Sequence, residues 1–323
     1  MRAFVTVRAF VAAAAVLLGL SLGGESIAQA ATPDYLRLTD ASVSQLKREE
    51  KQRQSKGRDR PVFIKVGDSN TATHLSLYGL GCYRYQPTGL SDSLLGVVRR
   101  YRKVRLPLGR TDLAGASCNH KEWSNSFSRV SLVSRGGTLF DFPMERGTDF
   151  GLDCIGSNLT CEIDATTPRY AFIQFGTNEA LGATTPALGA VQLEEVETRL
   201  AAIIATCRSR RVTPVVITAP MAVDNSFSGP GLPGRVIQVN TVIRQTAKEN
   251  RVPLVDLWLA QSQLIGPEFN YGLDQGGIHL SSPSTPDRWL GTVNLSIHNR
   301  IGYGMNLRSY LILSALERLD RIR

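Results

Sequence analysis

Apolar and polar positions follow two rhythms along this chain. Short runs that are apolar nearly throughout occur at Val62–Val66, Val130–Val133, Tyr170–Phe175, Val215–Thr218 and Val252–Leu257, and they read as buried strands. Gly67, Arg135-Gly136-Gly137, Gly176 and Pro220 close the first four. Between them the period lengthens to that of a helix. From Gln192 to Arg210, Leu193, Val196, Leu200, Ile203 and Cys207 share one face. From Arg235 to Asn250 the inward set is Val236, Val239, Val242, Ile243 and Ala247, and Asn306–Leu319 reads as a closing helix. Thr39–Arg60 is charged and helix-compatible up to Pro61. Residues 75–128 are irregular apart from a basic helix around Leu94–Lys103, and a long loop runs from 259 to Gly304.

Wholly apolar strands alternating with amphipathic helices indicate a parallel sheet covered on both faces. No internal repeat, low-complexity tract or linker interrupts the pattern, so residues 31–323 are read as one domain. Ligands of such sheets collect at the carboxyl ends of the strands. Three loops are singled out by that rule: Gly67–Asn70, Arg135–Thr138 and Gly176–Glu179.

The first 30 residues depart from the pattern. Arg2 and Arg8 precede an uncharged apolar run from Phe10 to Leu22, and Ala28-Gln29-Ala30 supplies a small-x-small cleavage pattern. The run is shorter than the roughly 20 residues a spanning helix needs. Residues 1–30 are therefore expected to be a signal peptide, with the mature chain secreted or periplasmic and without stable membrane insertion. The formal charge of +9 is concentrated in Lys47–Arg60 and Arg99–Arg110, but no nucleic-acid motif accompanies it. Five cysteines in an exported chain suggest disulfides. Cys154–Cys161 is the expected local bridge, Cys82–Cys118 a possible second, and Cys207 a buried free thiol. No cysteine pair has zinc-ligand spacing.

Most of the chemistry-bearing residues lie in the loops already singled out. Ser69, in Gly67-Asp68-Ser69, follows the first strand directly, where backbone N–H groups at the start of a helix can face a developing oxyanion. Alone, such a tripeptide is also an ordinary capped turn. Asn178, in Gly176-Thr177-Asn178-Glu179, ends another strand, and Gly137 offers an unhindered N–H after the middle one. His279 sits in the loop Leu273–Leu280, unlike His74, His120 and His298.

Together these blocks resemble the SGNH/GDSL hydrolase superfamily, whose Ser, Gly, Asn and His blocks appear in order as Gly67-Asp68-Ser69, Gly136-Gly137, Gly176-Thr177-Asn178 and Gly277-Ile278-His279. The resemblance implies a three-layer α/β/α sandwich with a five-stranded, parallel, doubly wound sheet of flavodoxin-like type. It implies Ser69 as nucleophile and His279 as its base. The backbone N–H groups of Ser69 and Gly137 and the Asn178 amide would form the oxyanion hole, and no cofactor or metal is needed. Two positions differ. Glu179 stands where the family usually has Asp, and Gly276 stands where its catalytic acid is found, three residues before the His. Asp274 is the nearest carboxylate that could replace it, folded back across Gly276-Gly277; otherwise a Ser–His dyad remains.

The expected function is an exported serine ester hydrolase that removes small acyl groups from carbohydrate or envelope material, such as acetylated polysaccharide or glycan. The missing acid at Gly276 motivates a different reading, a catalytically weak or inactive glycan-binding protein. An O-acyltransferase would use the same Ser–His pair with a sugar hydroxyl in place of water.

Overall fold

The computed structural model describes residues 34–322 apart from 57–58, 83–84, 88, 111–122, 148–153, 184, 227 and 284–292. The expected signal peptide and Cys118 lie outside the described residues. The strands are β1 (Leu36–Arg37), β2 (Phe63–Gly67), β3 (Tyr85–Gln86), β4 (Tyr170–Gln174), β5 (Thr213–Ile217), β6 (Leu254–Val255) and β7 (Val293–Asn294). One five-stranded sheet has the order β1-β6-β5-β4-β2, and β3 pairs with β7 separately. The β2–β4, β4–β5 and β5–β6 pairs are parallel; β1 runs antiparallel to β6.

Successive strand residues point to opposite faces, and both faces are covered. Phe63, Phe172, Val215 and Ile217 meet helix α4 (Asp92–Arg102) and helix α11 (Gly304–Arg321) through Val97, Val98, Ile312 and Leu316. Ile64, Val66, Ile173 and Val216 meet α5 (Asn158–Thr166), α7 (Ala190–Ser209) and α8 (Leu232–Glu249) through Ile163, Leu200, Ile203, Val236 and Val239. Each such side chain, fully buried, contributes about 1.5–3 kcal/mol. The result is the three-layer α/β/α architecture. Helix α1 (Asp40–Gln54) and the short helices α2 (Ser69–Ala72), α3 (Tyr78–Gly81), α6 (Thr177–Leu181), α9 (Leu257–Ala260) and α10 (Ile297–Gly302) complete it. No described helix is long and apolar enough to cross a membrane.

The sheet has five strands, though not all parallel and not the five read from the sequence. Val130–Val133 forms no strand: only Ser134 bridges to Gly67. Other acceptors capture its backbone donors. Leu132 N–H goes to the Glu162 carboxylate at 3.1 Å, and Val133 N–H to Ser131 Oγ at 3.3 Å. Glu162 is itself fixed by a two-pronged pair with Arg129, at 2.8 and 2.9 Å. The remaining strand is the two-residue β1, antiparallel at the far edge.

Cys154 and Cys161 are bridged, with Cα atoms 5.9 Å apart. Cys82 is disulfide-bonded. Cys207 is a buried free thiol, pushed up to about 12 by burial.

Candidate active site

Strand β2 delivers the chain into a tight turn. Asp68 caps α2 by accepting the Asn70 N–H at 3.0 Å, which makes Ser69 the first residue of that helix. The first N–H groups of a helix have no intrahelical acceptor, so the Ser69 N–H is free to face a ligand. The turn is fixed from below by Arg308 of α11, which is buried. Its guanidinium donates to Gln174 Oε1 at 2.5 Å, Ser76 Oγ at 2.5 Å and Thr71 Oγ1 at 3.0 Å. Burial lowers Arg308 to about 10 against the favourable charge of Asp68. Burial likewise raises Asp68 to about 7, although the Asn70 N–H and the charge of Arg308 pull the other way.

His279 is carried by a short hairpin. Leu273 and Leu280 form an antiparallel bridge, Asp274 N–H donates to His279 O at 2.8 Å, and Gly277 N–H donates to Asp274 O at 3.1 Å. Gly277 takes φ +70°, and a Cβ there would stand 2.5 Å from Val223 Cγ2. The hairpin places His279 Nε2 3.0 Å from Ser69 Oγ. On the other side of the ring, Nδ1 lies 3.6 Å from Asp274 Oδ2, with the two side chains 47% and 43% exposed. That is an ion-pair distance, longer than a hydrogen bond. A Cβ at position 276 would stand 3.2 Å from Asp274 Oδ1, so the carboxylate of Asp274 occupies room that a side chain at 276 would need.

The remaining loops are tied to one another beside Ser69. A Cβ at Gly136 would stand 3.8 Å from Ser69 Cβ, and Gly137 is exposed with φ +75°. Asn178 lies in the first turn of α6. The preceding Gly176 has φ +119°, and a Cβ there would be 2.8 Å from Val239 Cγ1. The Asn178 amide donates to Thr138 O at 2.8 Å, and Glu179 accepts the Phe140 N–H at 2.7 Å. Both side chains thus fasten the loop that carries Gly137, and one N–H of the Asn178 amide is used in doing so. Burial pushes the Glu179 carboxyl up to about 7.

Ser69, His279 and Asp274 border one open cleft of about 640 Å³, walled also by Thr73, Leu75 and Met305. Asn178 borders a different, smaller cavity of about 190 Å³. The structure therefore brings Ser69, His279 and Asp274 together, sets the Gly136-Gly137 turn beside Ser69, and joins Asn178 to that turn through Thr138. Among the described residues no three His, Cys, Asp or Glu side chains converge as a metal site would need. Sequence reasoning missed Asn70 and Arg308. Asn70 adjoins Ser69 and could have been suspected on that ground; nothing local marks Arg308.

The sequence pattern of the GDSL-like lipase/acylhydrolase family matches residues 146–283, a span that includes Asn178, Asp274 and His279 and begins after Ser69 and Gly137. A peptidoglycan O-acetylesterase shares the fold at a TM-score of 0.51 and 11% identity, over 89% of this chain and 99% of its own. The chain is also similar to an Enterococcus faecalis lipase/acylhydrolase, at 16% identity and a TM-score of 0.43 over 80% of this chain and 96% of that one. For an acetyl xylan esterase from Geobacillus stearothermophilus the values are 15%, 0.42, 79% and 94%. No curated protein matches the chain. The similarity to the GDSL-like lipase/acylhydrolase family thus rests on residues 146–283 and on the shared fold.

Proposed function

We propose that this chain is an exported serine esterase in which Ser69 is the nucleophile, His279 its base and Asp274 the acid that orients the imidazole. The observation that carries the reading is the 3.0 Å contact between Ser69 Oγ and His279 Nε2, which lies within the range needed for direct proton transfer. Ser69 Oγ attacks the acyl carbon while its proton passes to Nε2. The tetrahedral oxyanion faces the N–H groups of Ser69 and Gly137 and the second N–H of the Asn178 amide. Collapse expels the alcohol, which takes the proton from the imidazolium and leaves an acyl-enzyme. Water, giving its proton to His279, attacks the acyl carbon, and the imidazolium returns that proton to Ser69 Oγ as the acid leaves. Asp274 favours the Nδ1–H tautomer and the imidazolium from 3.6 Å.

The substrate class we propose is a short acyl ester of a hydroxylated polymer, an acetylated polysaccharide or glycan. The cleft is open and mixes the hydroxyls of Thr73, Ser281 and Ser282 with apolar Leu75 and Met305. A peptidoglycan O-acetylesterase has the same fold. Export is supported by the charged start, apolar run and Ala28-Gln29-Ala30 of the first 30 residues. Ser69→Ala is expected to lower kcat on an aryl acetate by at least ~10⁴-fold and to abolish fluorophosphonate labelling. Turnover at the wild-type rate in that variant would refute the assignment.

A further inference from the structure

Ser69 and His279 are 210 positions apart, and one buried side chain joins the segments that hold them. Asn70, 1% exposed, directs its amide at the His279 hairpin: Nδ2 donates to Ile278 O at 3.4 Å, and Oδ1 accepts the Leu280 N–H at 2.9 Å. Those two groups flank residue 279. In an extended segment the carbonyl before a residue and the N–H after it point the same way, and a carboxamide offers one donor and one acceptor to match them. Asn70 thus pairs with the hairpin as a neighbouring strand would.

The rest of the hairpin is held as closely. Gly276 O accepts from Asn225 Nδ2 at 2.6 Å, Gly277 O from Val223 N–H at 3.0 Å, and His279 O from Asp274 N–H at 2.8 Å. Every carbonyl from 276 to 279 therefore has a partner, despite two adjacent glycines. Of these partners only Asn70 belongs to the nucleophile's helix. Its own N–H is fixed by Asp68, and the next residue, Thr71, is fixed by Arg308.

We infer that Asn70 is a positioning residue which sets the distance from the His279 ring to Ser69 Oγ. The inference rests on the proposed Ser–His chemistry. Misplacing a reacting group by about 1 Å can cost 10²-fold in rate, and Asn70 is the direct mechanical link between base and nucleophile.

The experiment compares wild type, Asn70→Ala, Asn70→Asp and Ser69→Ala on an aryl acetate across pH, counting competent sites by fluorophosphonate titration. Asn70→Ala is expected to lose about 100-fold in kcat per folded molecule, with KM within about twofold. Asn70→Asp keeps the acceptor for Leu280 N–H and adds a carboxylate beside the imidazole. It is expected to recover about tenfold of that loss, with the acidic limb of its kcat profile moved to higher pH because the new charge favours imidazolium. If Asn70→Ala does not fold, Asn70→Asp decides alone. A kcat per folded molecule within about threefold of wild type in Asn70→Ala, or an unmoved acidic limb in folded Asn70→Asp, would overturn the inference. An active Ser69→Ala would instead sink the esterase reading beneath it.

Discussion

The two ends of the central sheet handle charge in opposite ways. Before β2 and β4 begin, acids and bases are packed into a closed network. Arg169, its side chain fully buried, lies 2.6 Å from Glu50 and 3.6 Å from Asp320. Arg53 adds a 2.7 Å pair to Glu50 and donates to Arg169 O at 2.9 Å, and Tyr101 donates to Asp320 at 3.1 Å. Burial alone would raise the Glu50 carboxyl, but hydrogen bonds and charge from Arg53 and Arg169 outweigh it and hold it below its ordinary value. After the strands end, His279 and Asp274 stand 3.6 Å apart and nearly half exposed. A closed network fixes which group is charged and so contributes shape. A half-open pair leaves the ring within reach of solvent and substrate, as the base proposed for this site requires.

Substitution at each end should separate the two roles. The largest effect is expected from Arg169→Met, which leaves Glu50 and Asp320 buried without their main counter-charge. Urea melts should show a loss of about 3–5 kcal/mol, while kcat per folded molecule on an aryl acetate stays at the wild-type value. Asp68→Asn sharpens the contrast, because Asp68 is a buried acid at the Ser69 end. Its folded pKa is raised from 3.8 to about 7, so the folded state binds the proton more tightly. The stabilisation this brings is complete below about pH 4 and is lost as pH rises through 7. Asp68→Asn should therefore gain stability over wild type progressively between pH 4 and 8, on the order of 4 kcal/mol at the upper end, with little difference at pH 4. Equal pH dependence in the two proteins would contradict a buried, neutral-leaning Asp68. Asp274→Ala should have the mildest effect, a fall in kcat of about 10–100-fold with no change in melting temperature, since an exposed pair contributes about 0–1 kcal/mol. A fall as deep as that of Ser69→Ala would mean the pair tightens when substrate binds.

The same physics decides what the sequence disclosed. The strands at 62–66, 170–175, 215–218 and 252–257 were legible because burial on both faces writes a run that is apolar nearly throughout. The run at 130–133 is equally apolar yet forms a loop, since Glu162 and Ser131 take its N–H groups; a contact made through an acid 30 residues away leaves no local trace. The edge strand Leu36–Arg37 is too short to show a period. At the site, Ser69, Gly137 and Asn178 were visible in loops that follow apolar runs, and His279 in a long loop of its own. The neighbourhood of Asp274 and His279 was suggested by the two glycines between them, whereas the hold of Asn70 on the hairpin depends on a fold that returns residue 280 to residue 70. Arg308 is harder still, an arginine in an otherwise ordinary amphipathic helix whose partners Thr71, Ser76 and Gln174 come from two other segments.

The distance along the chain between Ser69 and His279 also bears on how the molecule matures. The proposed nucleophile near the start and its proposed base near the end meet only after the intervening strands and crossovers have docked, and such long closures come late in folding. Under the proposed chemistry, competence is then a readout of complete assembly: a chain still folding, or truncated before its final third, holds Ser69 without the His279 that would awaken it.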